Sequence, residues 1–282
     1  MSKGKNIFNT SFDVSAETYH SARPGYPAQL YVDIKELCGI GSTSQLLEIG
    51  AGSGIATVEL AKFGCRVLAI EPGAHLATIA RKQTEDFKNV EVLEGTFESF
   101  ESSERFDAIL AFTAYHWIDE GIKYRKVLDL LEEAGSLVLV WNSFFLSDAE
   151  VVAEVNRAHH QYLPDAFPRE SSVAEVNEEV LSKLHRREQE VIQNLLFYTI
   201  TLRKYPTVHH YNAETYPKLL STFPKVAKVE EQKRTKFLEA VAEIVRKHGT
   251  VAVPVLTTLI VCRKRSGFLH AISRLARTEG GS

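Results

Sequence analysis

Within the stretch "LLEIGAGSGIATVEL" (46–60), Glu48 is followed by Gly50, Gly52 and Gly54, and Glu71 in "RVLAIEP" ends the next apolar run. Glycine tolerates positive φ and lets backbone approach a ligand with no Cβ in between. A carboxylate at the end of a neighbouring strand can accept hydrogen bonds from both hydroxyls of a ribose, as an acidic residue does about twenty residues along in dinucleotide folds. The pattern therefore points to a nucleotide-type ligand. The GxGxxG fingerprint would need glycine at position 55, where Ile55 stands, and no Gly-Lys-Ser/Thr follows as a phosphate loop requires. Farther on, "TAYHWIDE" (113–120) groups Thr113, Tyr115, His116 and Trp117. His116 reads as a general base with a pKa near working pH or as a hydrogen-bonded structural histidine, and Trp117 as core or ligand wall.

Positioning these groups requires strands and helices in alternation. Apolar runs of strand length occur at 44–49, 66–70, 90–94, 106–112 and 136–141, with helical patterns at 55–63, 73–86 and 122–133. Gly64 and Gly135 suit helix ends. Such alternation predicts an α/β fold, with a parallel sheet that carries its ligand at the carboxyl ends of the strands. After Asn142 a charged, helix-prone stretch interrupted by Pro164 and Pro168 reads as a helical insertion. A strand in "LLFYTITLRKYP", helices in "NAETYPKLLSTF" and 229–248, and a strand at 251–263 then close a seven-stranded sheet. In the second of these helices Phe237, Val241, Ile244 and Val245 share a face.

The chain of 282 residues carries 33 Lys and Arg against 36 Asp and Glu, which offers no broad basic surface for nucleic acid. Three scattered cysteines, Cys38, Cys65 and Cys262, fit a reducing cytoplasm. No long apolar stretch suggests an export signal or a membrane span. The pairs His159-His160 and His209-His210 lack CxxC or HExxH company, and adjacent histidines on one element point apart, so no metal is expected.

At the glycine turn and Glu71 the sequence resembles the class I S-adenosylmethionine-dependent methyltransferases, in a bacterial small-molecule branch of the type 11/12 kind. "FDVSAETYHSARPGYP" resembles the N-terminal segment of that branch, "FDAILAFTAYHWID" its fourth-strand motif, "LVLVWN" its fifth strand and "YNAETYPKLLSTF" a later helix, so the likeness spans residues 8 to 265. It implies a Rossmann-like, mostly parallel seven-stranded sheet with helices on both faces, an N-terminal helical cap and a helical insertion after the fifth strand. It implies S-adenosyl-L-methionine as cofactor and S-adenosyl-L-homocysteine as product. The methionine part would lie over Gly50, Ala51, Gly52 and Gly54, with Glu48 steadying the turn or reaching the amino group through water. Glu71 would take the ribose beside Pro72, Gly73 and Leu76, and Gly95, Thr96, Phe97 and Glu98 would flank adenine. Many relatives have aspartate where this chain has Thr96. Phe112, Thr113, His116 and Trp117 would floor the cofactor, while Tyr19 and Arg23 of the N-terminal segment would cover its methionine end.

Tyr115 and His116 are the residues implied at the reacting centre, with Tyr115 facing the acceptor; Trp141 and Asn142, which end the fifth strand at the same edge, and Arg203, Tyr205 and His209, which "LRKYPTVHHY" puts near the insertion, are the further candidates for the acceptor. An Arg203-Tyr205 pair suits an acceptor that bears a carboxylate. The organisation expected is a single domain over 1–265, comprising an N-terminal cap (1–40), a cofactor-binding core (41–142), a helical lid (143–192) and the last strands and helices (193–265), followed by a tail (266–282). The tail places Phe268, Leu269, Ile272 and Leu275 at helical spacing. The implied function is transfer of a methyl group to a small molecule. A non-catalytic S-adenosylmethionine-binding regulator or partner protein is the alternative that the same turn allows.

Overall fold

In the computed structural model the short apolar runs pair into one seven-stranded sheet. The structure describes residues 16–265, so the first part of the expected cap and the whole expected tail, 266–282, lie outside the described residues. Strands β1 (Gln45–Ile49), β2 (Arg66–Glu71), β3 (Val90–Glu94), β4 (Phe106–Phe112), β5 (Leu131–Phe144), β6 (Phe197–Tyr211) and β7 (Val251–Lys264) stand in the order β3-β2-β1-β4-β5-β7-β6. The first five are parallel, and β7 runs antiparallel to both β5 and β6. Helices α1 (Ala16–Ala22) and α2 (Ala28–Cys38) precede the sheet, and α3 (Ile55–Ala61), α4 (Ala74–Gln83) and α5 (Lys123–Leu130) join its parallel strands. The insertion after β5 is α6 (Ala149–Tyr162) and α7 (Val173–Ile192), while α8 (Thr215–Ser221), α9 (Pro224–Ala227) and α10 (Glu231–His248) lie between β6 and β7.

Alternation along each strand divides the interior in two. Leu47, Ile49, Leu68, Ile70, Ile109 and Leu139 enter one core with α5, whereas Leu46, Val67, Ala108, Leu110, Val138 and Val140 enter the other with α2 and α3. Burial on both faces is why these strands read as continuous apolar runs. A third core gathers α6, α8 and α10 against the start of β7, where Phe237, Val241 and Val245 are fully buried, each such side chain contributing roughly 1.5–3 kcal/mol.

Strand β1 lies between β2 and β4, so the connections leave it in opposite directions. The crevice beyond the carboxyl ends of β1 and β4 is thus the switch point at which such sheets bind ligands. Helix α7 is drawn over it from two ends. A capping box between Ser172 and Glu175 starts the helix, and Asn177 exchanges two 2.8 Å hydrogen bonds with the backbone of Leu146 just past β5. At the other end the Glu190 carboxylate sits 2.5 Å from the buried Lys123 ammonium and accepts a 3.0 Å hydrogen bond from Tyr124.

Two local expectations are corrected. The helix expected to stop near Gly135 ends at Leu130, because Leu131 already pairs with Phe106 and Gly135 sits in an irregular start of β5, where a Cβ would meet the Glu132 and Phe106 carbonyl oxygens at 2.9 and 3.0 Å. Strand β6 continues through Pro206 to Tyr211, which its edge position permits, since a proline there breaks no central ladder.

Candidate functional site

The three glycines of the turn do three different things. All have positive φ, +71° at Gly50, +58° at Gly52 and +86° at Gly54. The Gly50 and Ala51 amides donate to the Ile70 carbonyl at 2.8 and 3.0 Å, which fastens the turn to β2. A Cβ on Gly50 would lie 2.5 Å from the Ala114 Cβ, and one on Gly54 would lie 3.1 Å from the Ala80 Cα of α4. Those two glycines let neighbouring backbone close up. Only at Gly52 is there room, the nearest atom being Tyr19 Cε1 at 3.9 Å, and Gly52 lines the cavity below. Glu71 ends β2 and bridges two loops, accepting from the Gly52 amide at 2.8 Å and the Gly73 amide at 2.9 Å.

These loops wall a cavity of about 570 Å³ at the switch point. Gly50, Glu71, Pro72, Gly73 and Leu76 form one side, and Gly95 and the buried Phe97 continue it. Phe112, Thr113, His116 and Trp117 form the next, with Asn142 beside them. Tyr19 and Arg23 close it from the N-terminal cap. Arg23 is fixed there by hydrogen bonds to Thr222, 2.9 Å from Nε to the hydroxyl and 3.1 Å from Nη2 to the carbonyl, and its guanidinium lies 4.6 Å from the Phe223 ring. Next to this space a cleft of about 50 Å³ contains Glu48 and Ala51, with Tyr26 and Thr113.

Thr113 has φ +56°, the one positive value at a non-glycine among the described residues. A β-branched residue held there stores roughly 1–3 kcal/mol. Its backbone amide donates to the Val140 carbonyl at 2.7 Å, and its hydroxyl oxygen lies 3.3 Å from both the Tyr26 hydroxyl and the Asn142 amide. The strained residue thus joins cap, β4 and β5 at the cavity wall.

Burial sets the ionisation of the site. Glu48 has no exposed surface, both its carboxylate oxygens lack a hydrogen-bond partner, and the Thr57 hydroxyl beside it is not in bonding geometry. Its pKa is pushed up to about 8, chiefly by burial, with the Glu71 charge adding to it. His116 is pushed down to about 3 by burial and by the positive charges of Arg187 and Lys123. A group held there is a weak proton acceptor, and its Nδ1 is buried with no hydrogen-bond partner, unlike the hydrogen-bonded structural histidine of one expectation.

Eight of the residues singled out in the sequence are not at the cavity. Tyr115 is turned by a single 3₁₀ turn (Tyr115–Trp117) into the core, where its ring meets Tyr124 edge-on at 5.3 Å. Trp141 is buried in the same core, because strand alternation sends it away from Asn142. Gly54 packs under α4. Thr96 turns its hydroxyl to the Ser99 amide at 3.2 Å, and a Glu98 oxygen accepts from the Asp119 amide at 3.2 Å. Arg203 and Tyr205 do share a face of β6, yet both engage Asp33 of α2, Arg203 at 2.7 Å. His209 pairs with Thr207 on the same strand at 3.2 Å. Among the described residues no group of three or more His, Cys, Asp or Glu side chains could hold a metal ion, and no helix is long and apolar enough to cross a membrane.

Sequence reasoning expected a lid over 143–192 but named none of the residues by which it lines the cavity. Val180, Lys183, Leu184 and Arg187 line it from α7, and Phe223 and Pro224 from the start of α9. The signal was present, since 180, 183, 184 and 187 have the i, i+3, i+4, i+7 spacing of one helix face.

The sequence pattern described as "Methyltransferase domain" matches residues 47–139. An uncharacterized methyltransferase of Bacillus mycoides (strain KBAB4) is 32% identical over 170 residues, covering 56% of this chain and 79% of the relative. A structure from Anaeromyxobacter dehalogenans, provisionally described as a type II methyltransferase, superposes with a TM-score of 0.60 at 19% identity, over 86% of this chain and 97% of that one. A S-adenosylmethionine-dependent methyltransferase from Thiobacillus denitrificans, crystallised with S-adenosyl-L-homocysteine, does so with a TM-score of 0.52 at 14% identity, over 92% and 98%.

Proposed function

Because the chain belongs to the class I S-adenosylmethionine-dependent methyltransferases, we propose that it transfers the methyl group to a small-molecule acceptor held in the cavity between the glycine turn and α7. The activity is methyl transfer and the cofactor is S-adenosyl-L-methionine. The observation that carries the placement is Glu71, a carboxylate at the cavity wall that bridges the Gly52 and Gly73 amides.

The residues fit that cofactor. Glu48 presents two buried oxygens without partners, which an ammonium group would satisfy, and Gly52 leaves space where any other residue would set a Cβ. In this reading Glu48, Gly50, Ala51 and Gly52 hold the methionine part, with Tyr19 and Arg23 covering it. Glu71 receives the ribose, and Leu76, Gly95 and Phe97 receive the adenine. When bound, S-adenosylmethionine supplies an electrophilic methyl group on a positively charged sulfur.

The chain's own contribution is alignment and exclusion of water. Polar solvent favours a charged sulfonium over a transition state in which charge is dispersed, so a dry, aligned cavity lowers the barrier without a strong acid or base. Tyr19, Arg23 and Phe144 from one side and α7 from the other shield the space. His116, kept neutral, acts here as a wall of the reacting centre and orients the acceptor. The carboxylate expectation that rested on Arg203 and Tyr205 loses those residues, which are engaged by Asp33.

Calorimetric titration with S-adenosylmethionine, S-adenosylhomocysteine and NAD tests the placement on wild type and Glu71→Ala. The first two should bind, at least about tenfold more weakly in the variant, since charge-assisted hydrogen bonds are lost. Undiminished binding by Glu71→Ala would remove Glu71 from the site, and binding of NAD alone would remove the reading altogether.

A further inference from the structure

We propose that Arg187 of α7 recognises the acceptor, and that the acceptor is a small molecule carrying an anionic group, a carboxylate or a phosphate. This rests on the methyl-transfer reading above and concerns the group that is held, whichever atom receives the methyl.

Four charged side chains line the cavity: Arg23, Glu71, Lys183 and Arg187. Three are engaged. Arg23 is bonded to Thr222, Glu71 bridges two backbone amides, and Lys183 is paired with Glu179 one turn earlier on its helix. Arg187 forms no hydrogen bond or ion pair with any described residue. The carboxylate on its own helix turn, Glu190, is 2.5 Å from Lys123 and accepts from Tyr124. Its neighbour Arg186 is exposed and carries the same charge.

Glu190 attracts Arg187 only at a distance and forms no ion pair with it, so part of the desolvation cost of this half-buried guanidinium is left uncompensated within the protein. A ligand anion would supply what is missing. The guanidinium fork matches the two oxygens of a carboxylate or phosphate, a geometry that a lysine does not reproduce. Location supports the same assignment, since Arg187 stands on the insertion and lines the cavity together with His116, on which its charge acts. An anion beside Arg187 would also offset one of the two charges that hold His116 down.

The test uses full-length protein saturated with S-adenosylhomocysteine and titrated with benzoate, phenyl phosphate and neutral benzamide. At least one anion should bind about tenfold or more tightly than benzamide. Arg187→Gln should abolish that preference, Arg187→Lys should retain part of it, and Arg186→Gln should leave it unchanged. Unaltered affinity for S-adenosylhomocysteine serves as the control for folding. In parallel, labelled methyl from S-adenosylmethionine is followed into a small-molecule cell extract separated by anion exchange. Label should appear in the retained fraction, and the loss in Arg187→Gln should be recovered by raising the extract concentration. Equal affinity for anions and benzamide, a preference that survives in Arg187→Gln, or label confined to the unretained fraction overturns the proposal while methyl transfer stands. Failure of S-adenosylhomocysteine to bind wild type is seen before any anion is added, and sinks the parent reading together with this one.

Discussion

Glu48, proposed above to meet the cofactor's ammonium group, ties that contact to the stability of the fold. In the ligand-free protein it is buried, unpartnered and protonated up to about pH 8, against 4.5 for an ordinary glutamate. An acid whose folded pKa is raised binds its proton more tightly when folded. Its contribution is therefore complete below pH 4.5 and is lost as pH rises through about 8. The slope approaches about 1.4 kcal/mol per pH unit within that window. Glu48→Gln should flatten the decline in Tm from about pH 6.5 to 8 and bind S-adenosylmethionine about tenfold more weakly, because the ammonium loses its counter-charge. Thermal melts against pH, with calorimetry beside them, decide the matter. Parallel melting curves for the two proteins would show that the carboxyl is already ionised.

At the level of elements, the turn between β1 and α3 divides its work among its glycines, and substitutions should separate the roles. Gly50→Ala puts a Cβ 2.5 Å from that of Ala114 while φ is +71°, so the loop after β4 must move. A loss of roughly 2–4 kcal/mol is expected, from overpacking added to left-handed strain. Gly52→Ala meets nothing nearer than 3.9 Å and should cost only about 1 kcal/mol, yet it narrows the ligand space. Urea unfolding should rank Gly50→Ala as the less stable variant, whereas cofactor titration of Gly52→Ala should show the larger loss relative to its stability. The reverse ranking would mean that Gly52, not Gly50, carries the packing. Thr113 extends the same logic to the end of β4, where a strained residue persists because Val140, Tyr26 and Asn142 hold it in place.

For the whole molecule, two buried groups pull the pH dependence in opposite directions. His159 of α6 lies between the rings of Phe167 and Phe237, at 3.9 and 4.4 Å, with both nitrogens buried and unpartnered. Burial, helped by Lys225, pushes its pKa down from 6.5 to about 4. A base with a depressed pKa contributes stability above its unfolded value and loses it as pH falls from 6.5 toward 4, whereas Glu48 loses its share on the alkaline side. Between pH 4.5 and 6.5 these two slopes cancel, and His116, held down to about 3, adds to the acid side, so the ligand-free protein should be most stable near pH 6.5. His159→Phe keeps the stack and removes the titration, so its acid limb should shift to lower pH, by up to about 1.4 kcal/mol per pH unit across that window. Chemical denaturation at pH 4.5 and 7 checks this. Equal losses for wild type and variant on acidification would rule His159 out as the source.

The βα alternation, the glycine turn and Glu71 were readable in the chain because each is local. Side-chain period follows from strand or helix geometry, and Gly50 to Gly54 and Glu71 sit at strand ends whichever way the sheet is assembled. Which face of an element meets the ligand was not local. Tyr115 and Trp141 turned into the core because large apolar rings gain more from burial than from a wet wall. Tyr205 was claimed by Asp33, 172 positions away in the chain, and the tertiary fold alone brings those two together. The same long-range packing laid α7 across the cavity and set Arg187 at its edge. Sequence by itself thus determined the sheet and the glycine turn, and tertiary structure decided which side chains line the cavity, because only packing between distant elements fixes the direction in which a helix or an edge strand points.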